Sequence, residues 1–217
     1  MIRMAAPHAD FILANTAIES PPLIPEIRLH LASELVPIWQ ATEEDLAAMG
    51  LPPPYWAFAW AGGQALARYI LDNPEIVKGK TVLDFASGSG LVAIAAMKAG
   101  AARAIAADID PYAEAAARLN AALNGVAVET ASRDLIGTAG PWDVVLAGDI
   151  CYEQPLAERV TAWLRGLSAA GITVLMGDPG RTYLPKAGLE WVVRYAVKTT
   201  RELEDTDVRN AVVWRFA

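Results

Sequence analysis

The chain has 217 residues, 54% hydrophobic and 20% charged, with 18 Lys and Arg against 25 Asp and Glu for a net charge of -7. The length fits a single core, given about 150–250 residues per large domain; the composition is too apolar for disorder, and no apolar run reaches the ~18 residues of a membrane span. The acidic balance argues against sequence-independent nucleic-acid binding, which needs a basic face, and fits a basic protein partner better.

Residues 1–54 hold Pro7, Pro21, Pro22, Pro25, Pro37, Pro52, Pro53 and Pro54 and show weak periodicity. Ile27, Leu29, Leu31, Leu35 and Val36 within Glu26–Trp39 allow either a short helix or a strand. From Tyr55 the pattern becomes regular. A helix is predicted over Gly63–Asp72, then a buried strand TVLDF over Thr81–Phe85. A helix follows over Leu91–Ala99, closed by Gly100. Ala104–Ala107 reads as a second strand, and Asp110-Pro111 as the N-cap and first position of a helix running to Asn124 before Gly125. Val126–Thr130 and Asp143–Ala147 give strands three and four, Leu156–Leu167 a helix, and Ile172–Met176 strand five. Alternating strands and helices at this spacing predict right-handed crossovers and a parallel sheet. Trp191–Thr199 and Ala211–Phe216, joined by a polar stretch without helical pattern, predict an antiparallel hairpin on the sheet edge. The expected architecture is a doubly wound, Rossmann-like α/β domain over 55–217 with an N-terminal extension over 1–54 that docks substrate or forms a lid.

The single cysteine, Cys151, excludes an internal disulfide framework and a cysteine-based structural zinc site, and suits a reducing compartment. MIRMAAPHADFILANTAIES reads as neither signal nor transit peptide, so a cytoplasmic setting is expected. His8 falls in a segment expected to be disordered. His30 would lie on a helix face in a structural or solvated role. Cys151 reads as a small buried residue.

The first strand ends in LDFASGSG, where a parallel sheet binds its ligand. Gly88 and Gly90 permit a sharp turn and close backbone approach. Gly88-Ser89-Gly90-Leu91-Val92-Ala93 matches G-x-G-x-x-G/A, with Asp108 positioned to hold ribose hydroxyls, so an NAD-dependent oxidoreductase is one reading. Asp84 separates the readings. It ends the strand with three residues between it and Gly88, where a pyrophosphate would be repelled, and the resulting D-x-x-x-G-x-G resembles motif I of the seven-strand S-adenosylmethionine-dependent methyltransferases. A carboxylate suits the ammonium and sulfonium of that ligand. The plain alternatives are a glycine turn without ligand, a helix-capping role for Asp108 and a solvated loop acid at Asp134, which in methyltransferases would lie near adenine. After strand four, Asp149 and Tyr152 form D-x-x-Y, a candidate clamp for an amine, or else a strand end that caps the next helix.

PPPYWAFAWAGGQALARYILDNPEIVKGKTVLDFASGSG, ADIDP, GDICYE and GDPGR (Gly177–Arg181) together resemble the electron transfer flavoprotein β-subunit lysine methyltransferases, from about Pro25 to the C-terminus. The resemblance implies a class I methyltransferase using S-adenosyl-L-methionine and releasing S-adenosyl-L-homocysteine. It places Trp60, Asp84, Gly88, Ser89, Gly90, Asp108 and Asp134 at the cofactor, and Asp149 with Tyr152 at the target lysine. Tyr55, Trp56 and Phe58 are read as core packing. The acidic run Glu202, Glu204, Asp205, Asp207 reads as a solvated loop, with steering of a basic substrate surface as the alternative. Vertebrate members carry a mitochondrial presequence, so the resemblance implies a bacterial member, a monomer acting on a bacterial flavoprotein β-subunit with no nucleic acid, membrane or metal. The rivals are a methyltransferase for another protein such as a ribosomal one, or for a small amine, and a module that senses S-adenosylmethionine without chemistry.

Overall fold

The structure is a computed structural model that describes residues 7–32, 53–199 and 206–216. Seven strands form one sheet: β3 (Thr81–Phe85), β4 (Arg103–Ala107), β5 (Glu129–Ala131), β6 (Val144–Gly148), β7 (Thr173–Asp178), β8 (Leu189–Lys198) and β9 (Val208–Phe216). Their order is β5-β4-β3-β6-β7-β9-β8, parallel from β5 to β7 and antiparallel where β9 pairs with β7 and with β8. The expected parallel sheet and edge hairpin are both present. β1 (Ala17–Glu19) and β2 (Leu29–Leu31) make a separate antiparallel pair.

The central strands are buried on both faces, and their side chains alternate between two cores with the period of a strand. Val82, Val144, Leu146 and Leu175 face one layer, packed under α2 (Ala61–Asp72) and α3 (Leu91–Lys98). Leu83, Val145, Ala147, Val174 and Met176 face the other, under α5 (Gln154–Ala169). On α5 the buried residues Ala157, Val160, Thr161, Leu164 and Leu167 follow the helical stripe. Complete burial of Leu164 contributes about 1.5–3 kcal/mol.

Glycine stops two of the helices as the sequence predicts. After α3, Ala101 N–H donates to the Ala96 carbonyl and Gly100 N–H to that of Met97, with Gly100 at φ +92°. The same pair of bonds closes α4 (Pro111–Leu123), where Gly125 sits at φ +66° and Val126 N–H donates to Ala121. That bond explains why β5 begins at Glu129 and not at Val126: the predicted start of the strand is consumed in ending the helix. Asp110 caps α4, accepting Tyr112 N–H at 2.8 Å.

The N-terminal region differs from expectation. The undecided stretch after Glu26 forms β2, a strand, so His30 is not on a helix; Leu35, Val36 and Trp39 lie outside the described residues. His8, expected in disorder, belongs to α1 (Pro7–Ala14), which packs on α4 with the His8 and Tyr112 rings 4.4 Å apart. Two asparagines of α4 hold the strand pair. Asn120 Oδ1 accepts His30 N–H at 2.7 Å, and Asn124 bonds both backbone groups of Arg28. Burial lowers the His30 pKa, which favours its neutral form. In the acidic run, Glu202, Glu204 and Asp205 lie outside the described residues, and Asp207 is exposed. No helix among the described residues is long and apolar enough to cross a membrane.

Candidate active site

The order in which the chain adds strands reverses between the parallel neighbours β3 and β6, and over their carboxyl ends lies a cleft of about 560 Å³. That volume falls within the range of about 300–1,000 Å³ of small-molecule sites. Its floor is the turn from β3 to α3. Ala86, Gly88 and Gly90 all have positive φ (+54°, +49° and +77°), so the chain doubles back tightly enough for Ser87 N–H to reach the Ala107 carbonyl. Gly88 has room for a side chain, its nearest neighbour in that direction being Trp56 Cα at 3.7 Å, so it is the backbone conformation that requires glycine there. Gly90 is different. A Cβ there would lie 2.9 Å from that of Ala117, so this glycine lets α3 pack against α4 and does not line the cleft.

Two acids end adjacent strands beside this turn. Asp84 is buried, and its carboxylate accepts Ala93 N–H at 2.9 Å. Burial, together with the neighbouring Asp108, pushes its pKa well above the ordinary carboxylate range. Asp108 accepts Gly88 N–H at 2.9 Å through one oxygen and Asp110 N–H at 3.0 Å through the other, and burial raises its pKa as well. A carboxylate has about four lone pairs, so each acid keeps acceptor capacity after these bonds. A cation entering the cleft offsets the burial cost of both, whereas a pyrophosphate adds to it. The residues therefore fit S-adenosyl-L-methionine, a ligand cationic at its methionine end and bearing ribose hydroxyls.

The opposite wall is built where α2 meets β6 and β7. Backbones touch there: a Cβ on Gly177 would run into the Gly62 carbonyl, and one on Gly148 would lie 2.9 Å from Gly63 Cα. This contact aims the Gly63 N–H, in the first turn of α2, at Asp149 Oδ2 at 2.8 Å. Asp149 itself has φ +55°, a conformation costing a non-glycine residue about 1–3 kcal/mol. Its N–H donates to Gly177 at 2.9 Å, and its Oδ1 accepts Arg181 Nη2 at 2.8 Å. The Arg181 guanidinium lies 5.4 Å from the centre of the Trp60 ring. Tyr152 is exposed, its ring 5.5 Å from that of Tyr55, and partial desolvation raises its pKa, so it is a neutral phenol at physiological pH. The Cys151 thiol is fully buried and pushed up to about 12, which leaves it inert.

Trp60, Asp84, Gly88, Ser89, Asp108, Asp134, Asp149 and Tyr152 thus line one cleft. Asp134 sits at the rim, bonded to Arg159 at 3.2 Å and to Ile136 N–H at 2.9 Å. Trp56 is core, as the sequence predicts, and stacks on Tyr112. Tyr55 is not core: it is 47% exposed and stands at the cleft mouth. Phe58, half-buried, also lines the cleft. Sequence reasoning missed two further residues. Asn120 occupies the apolar stripe of α4, fully buried, and donates to the Ser89 carbonyl at 2.8 Å; a lone amide at a core position was the available signal. Arg181 was visible only as the end of GDPGR.

The family model "Ribosomal protein L11 methyltransferase (PrmA)" matches residues 64–176. The electron transfer flavoprotein β-subunit lysine methyltransferase of Xenopus laevis is 40% identical over 95% of this chain and 86% of its own. The human protein of the same name is 37% identical over 95% of this chain and 80% of its own. A ribosomal protein L11 methylase from Lactobacillus delbrueckii superposes with a TM-score of 0.51 at 23% identity, covering 74% of this chain and 81% of that one, and shares the class I methyltransferase fold. Identity of 37–40% over 95% of the chain means that this chain belongs to the electron transfer flavoprotein β-subunit lysine methyltransferase family.

Proposed function

We propose that the chain transfers methyl groups from S-adenosyl-L-methionine to lysine side chains on the β-subunit of electron transfer flavoprotein. The observation carrying this reading is the meeting, in one cleft, of the Asp84–Asp108 pair around the glycine turn with Asp149 and Tyr152 on the facing wall. A ribosomal substrate is the second reading, since the L11 methyltransferase model matches; that match spans residues 64–176, while the flavoprotein relatives align over 95% of the chain.

When bound, the cofactor supplies an electrophilic methyl group on a sulfonium. Asp108 accepts from the ribose hydroxyls, Asp84 balances the cationic end, and the Gly88 backbone makes the close approach. Ser89 and Gly90 shape the turn, and Trp60 and Asp134 would help hold the cofactor at its methionine and adenine ends respectively. Asp149 receives and orients the lysine amine, while Tyr152, with Tyr55 beside it, walls the channel and sheds water. The amine attacks once neutral: its lone pair forms the bond to carbon as the carbon–sulfur pair returns to sulfur. Deprotonating a lysine of ordinary pKa at pH 7 costs about 4–5 kcal/mol. Holding amine and methyl in line supplies about 7–11 kcal/mol, so positioning covers the cost without a strong base. The segment before residue 55 serves as a docking or lid element, supported by the packing of α1 and β2 on α4 and by Asn120, which joins β2 to the glycine turn.

The test is incubation with S-adenosylmethionine and recombinant bacterial electron transfer flavoprotein, reading the intact mass of the β-subunit. Increments of one methylene, absent with Asp149→Ala, are expected. No increment there, with increments on ribosomal protein L11 instead, would overturn the flavoprotein assignment.

A further inference from the structure

A carboxylate beside the acceptor lysine poses an electrostatic problem. Asp149 orients the amine but also favours the ammonium, which has no lone pair to attack with. Among the described residues the cleft contains no histidine to remove the proton.

Arg181 bears on this through the way its loop is built. Asp178, at the end of β7, is fully buried, and its Oδ1 accepts the N–H groups of both Gly180 and Arg181 at 2.7 Å. With Gly180 at φ +87°, the chain folds back so that the Arg181 side chain crosses the end of β6. Its Nη2 and Nε lie 2.8 and 3.2 Å from Asp149 Oδ1, and its face rests against the Trp60 ring. The side chains are 17% and 9% exposed, so solvent screens this pair little. The other oxygen of Asp149 faces the N-terminus of α2. A full cation and a helix terminus thus hold one carboxylate between them.

We propose that Arg181 is a positioning residue for methyl transfer, acting through Asp149: it fixes that carboxylate and balances its charge, so that the target lysine is held as the neutral amine. This rests on the reading of Asp149 as the residue that receives the lysine. The ammonium gives its proton to solvent before attack, and the freed lone pair then forms the new nitrogen–carbon bond.

The other ionisable groups nearby do not supply this balance. Cys151 is held neutral by burial, and Tyr152 is a neutral phenol whose pKa is raised further. Tyr55, Glu153 and Asp108 act on Tyr152. Asp178 faces Arg181 from the preceding strand and Arg209 from β9, and its Oδ1 is engaged in forming the turn.

The test is the pH dependence of single-turnover methylation of recombinant bacterial electron transfer flavoprotein by the wild type, Arg181→Gln and Arg181→Lys. Melting temperature and S-adenosylhomocysteine affinity are measured alongside. In Arg181→Gln the acidic limb moves up by about one pH unit, a roughly tenfold slower rate at a fixed pH on that limb, while S-adenosylhomocysteine affinity is unchanged. Arg181→Lys keeps the limb but raises KM for the flavoprotein, because an ammonium lacks the fork that holds Asp149. In Arg181→Gln, a uniform loss at every pH with the limb in place marks a merely structural role and overturns the inference. The wild type gives a second decision even if Arg181→Gln does not fold: its limb must lie below the ordinary lysine pKa of about 10.4, and a limb at or above that value overturns the inference. If the wild type binds S-adenosylhomocysteine but does not methylate the flavoprotein, the acceptor assignment falls and this inference with it. Methylation with an unmoved limb removes the inference alone.

Discussion

The carboxylate of Asp84 accepts the backbone N–H of Ala93 at 2.9 Å and so caps α3, whose own N-cap is Gly90, a residue with no side chain to do it. Asp149 does the same for α2, reaching Gly63 at 2.8 Å where the N-cap residue Trp60 makes no such bond. These two helices are therefore each tied at the first turn to a carboxylate at the end of a strand. The same two acids are those the proposed chemistry uses, so the scaffold and the site share their anchors.

Asp84→Asn should stabilise the ligand-free protein at neutral pH and weaken cofactor binding. Burial places the folded pKa above the ordinary value of 3.8, so stability is full below the unfolded value and is lost as pH rises through the folded one. Asparagine still accepts from Ala93 but never ionises. The gain in Tm over wild type is then largest at neutral pH and shrinks on acidification, as thermal melts across pH will show. Affinity for S-adenosylmethionine falls by about tenfold or more, as expected for losing one charged hydrogen bond of about 1.5–3 kcal/mol.

Asn120→Ala breaks the bonds that tie both β2 and the glycine turn to α4. Leaving the buried Ser89 carbonyl unpaired costs about 1–3 kcal/mol, and leaving the half-buried His30 N–H unpaired adds a smaller loss. Chemical denaturation should show the loss. Hydrogen exchange should quicken at His30 and through Gly88–Gly90, while the β8–β9 hairpin remains unaffected.

Gly177→Ala forces a Cβ into the Gly62 carbonyl, which belongs to backbone and cannot rotate away. Overpacking of this kind costs about 1–3 kcal/mol. The shift of α2 moves Gly63 away from Asp149, so the methylation rate should fall by about 10²-fold, the cost of roughly 1 Å of misplacement. S-adenosylhomocysteine affinity, which depends on the far wall, should change much less.

Ala86→Gly relieves a left-handed alanine at φ +54°. Alanine is a poor fit there and glycine a good one, so Tm should rise, with a gain of about 1 kcal/mol or less after the entropy of the unfolded glycine is counted. A fall in Tm would mean that the local strain is offset by contacts of the methyl group.

The sequence alone was enough for the parallel sheet, the edge hairpin and the residues around the glycine turn. Those features rest on local physics: unbroken apolar strands, glycines just past α3 and α4, Asp110-Pro111 at a helix start, and a carboxylate a few residues before two glycines. It also placed Asp149 and Tyr152 together, since they are three positions apart. The tertiary structure decided what depends on distant chain segments. The stretch after Glu26 became a strand because Ala17–Glu19 pairs with it and Asn120 and Asn124, about ninety residues later, satisfy its backbone. Tyr55 became a wall of the cleft, not core, because Tyr152 arrives beside it from β6. Arg181 meets Asp149 only because three glycines let α2, β6 and β7 approach without side chains between them. Periodicity and turn chemistry are written in neighbouring residues, whereas the electrostatic balance of a buried acid is set by groups that only folding brings within reach.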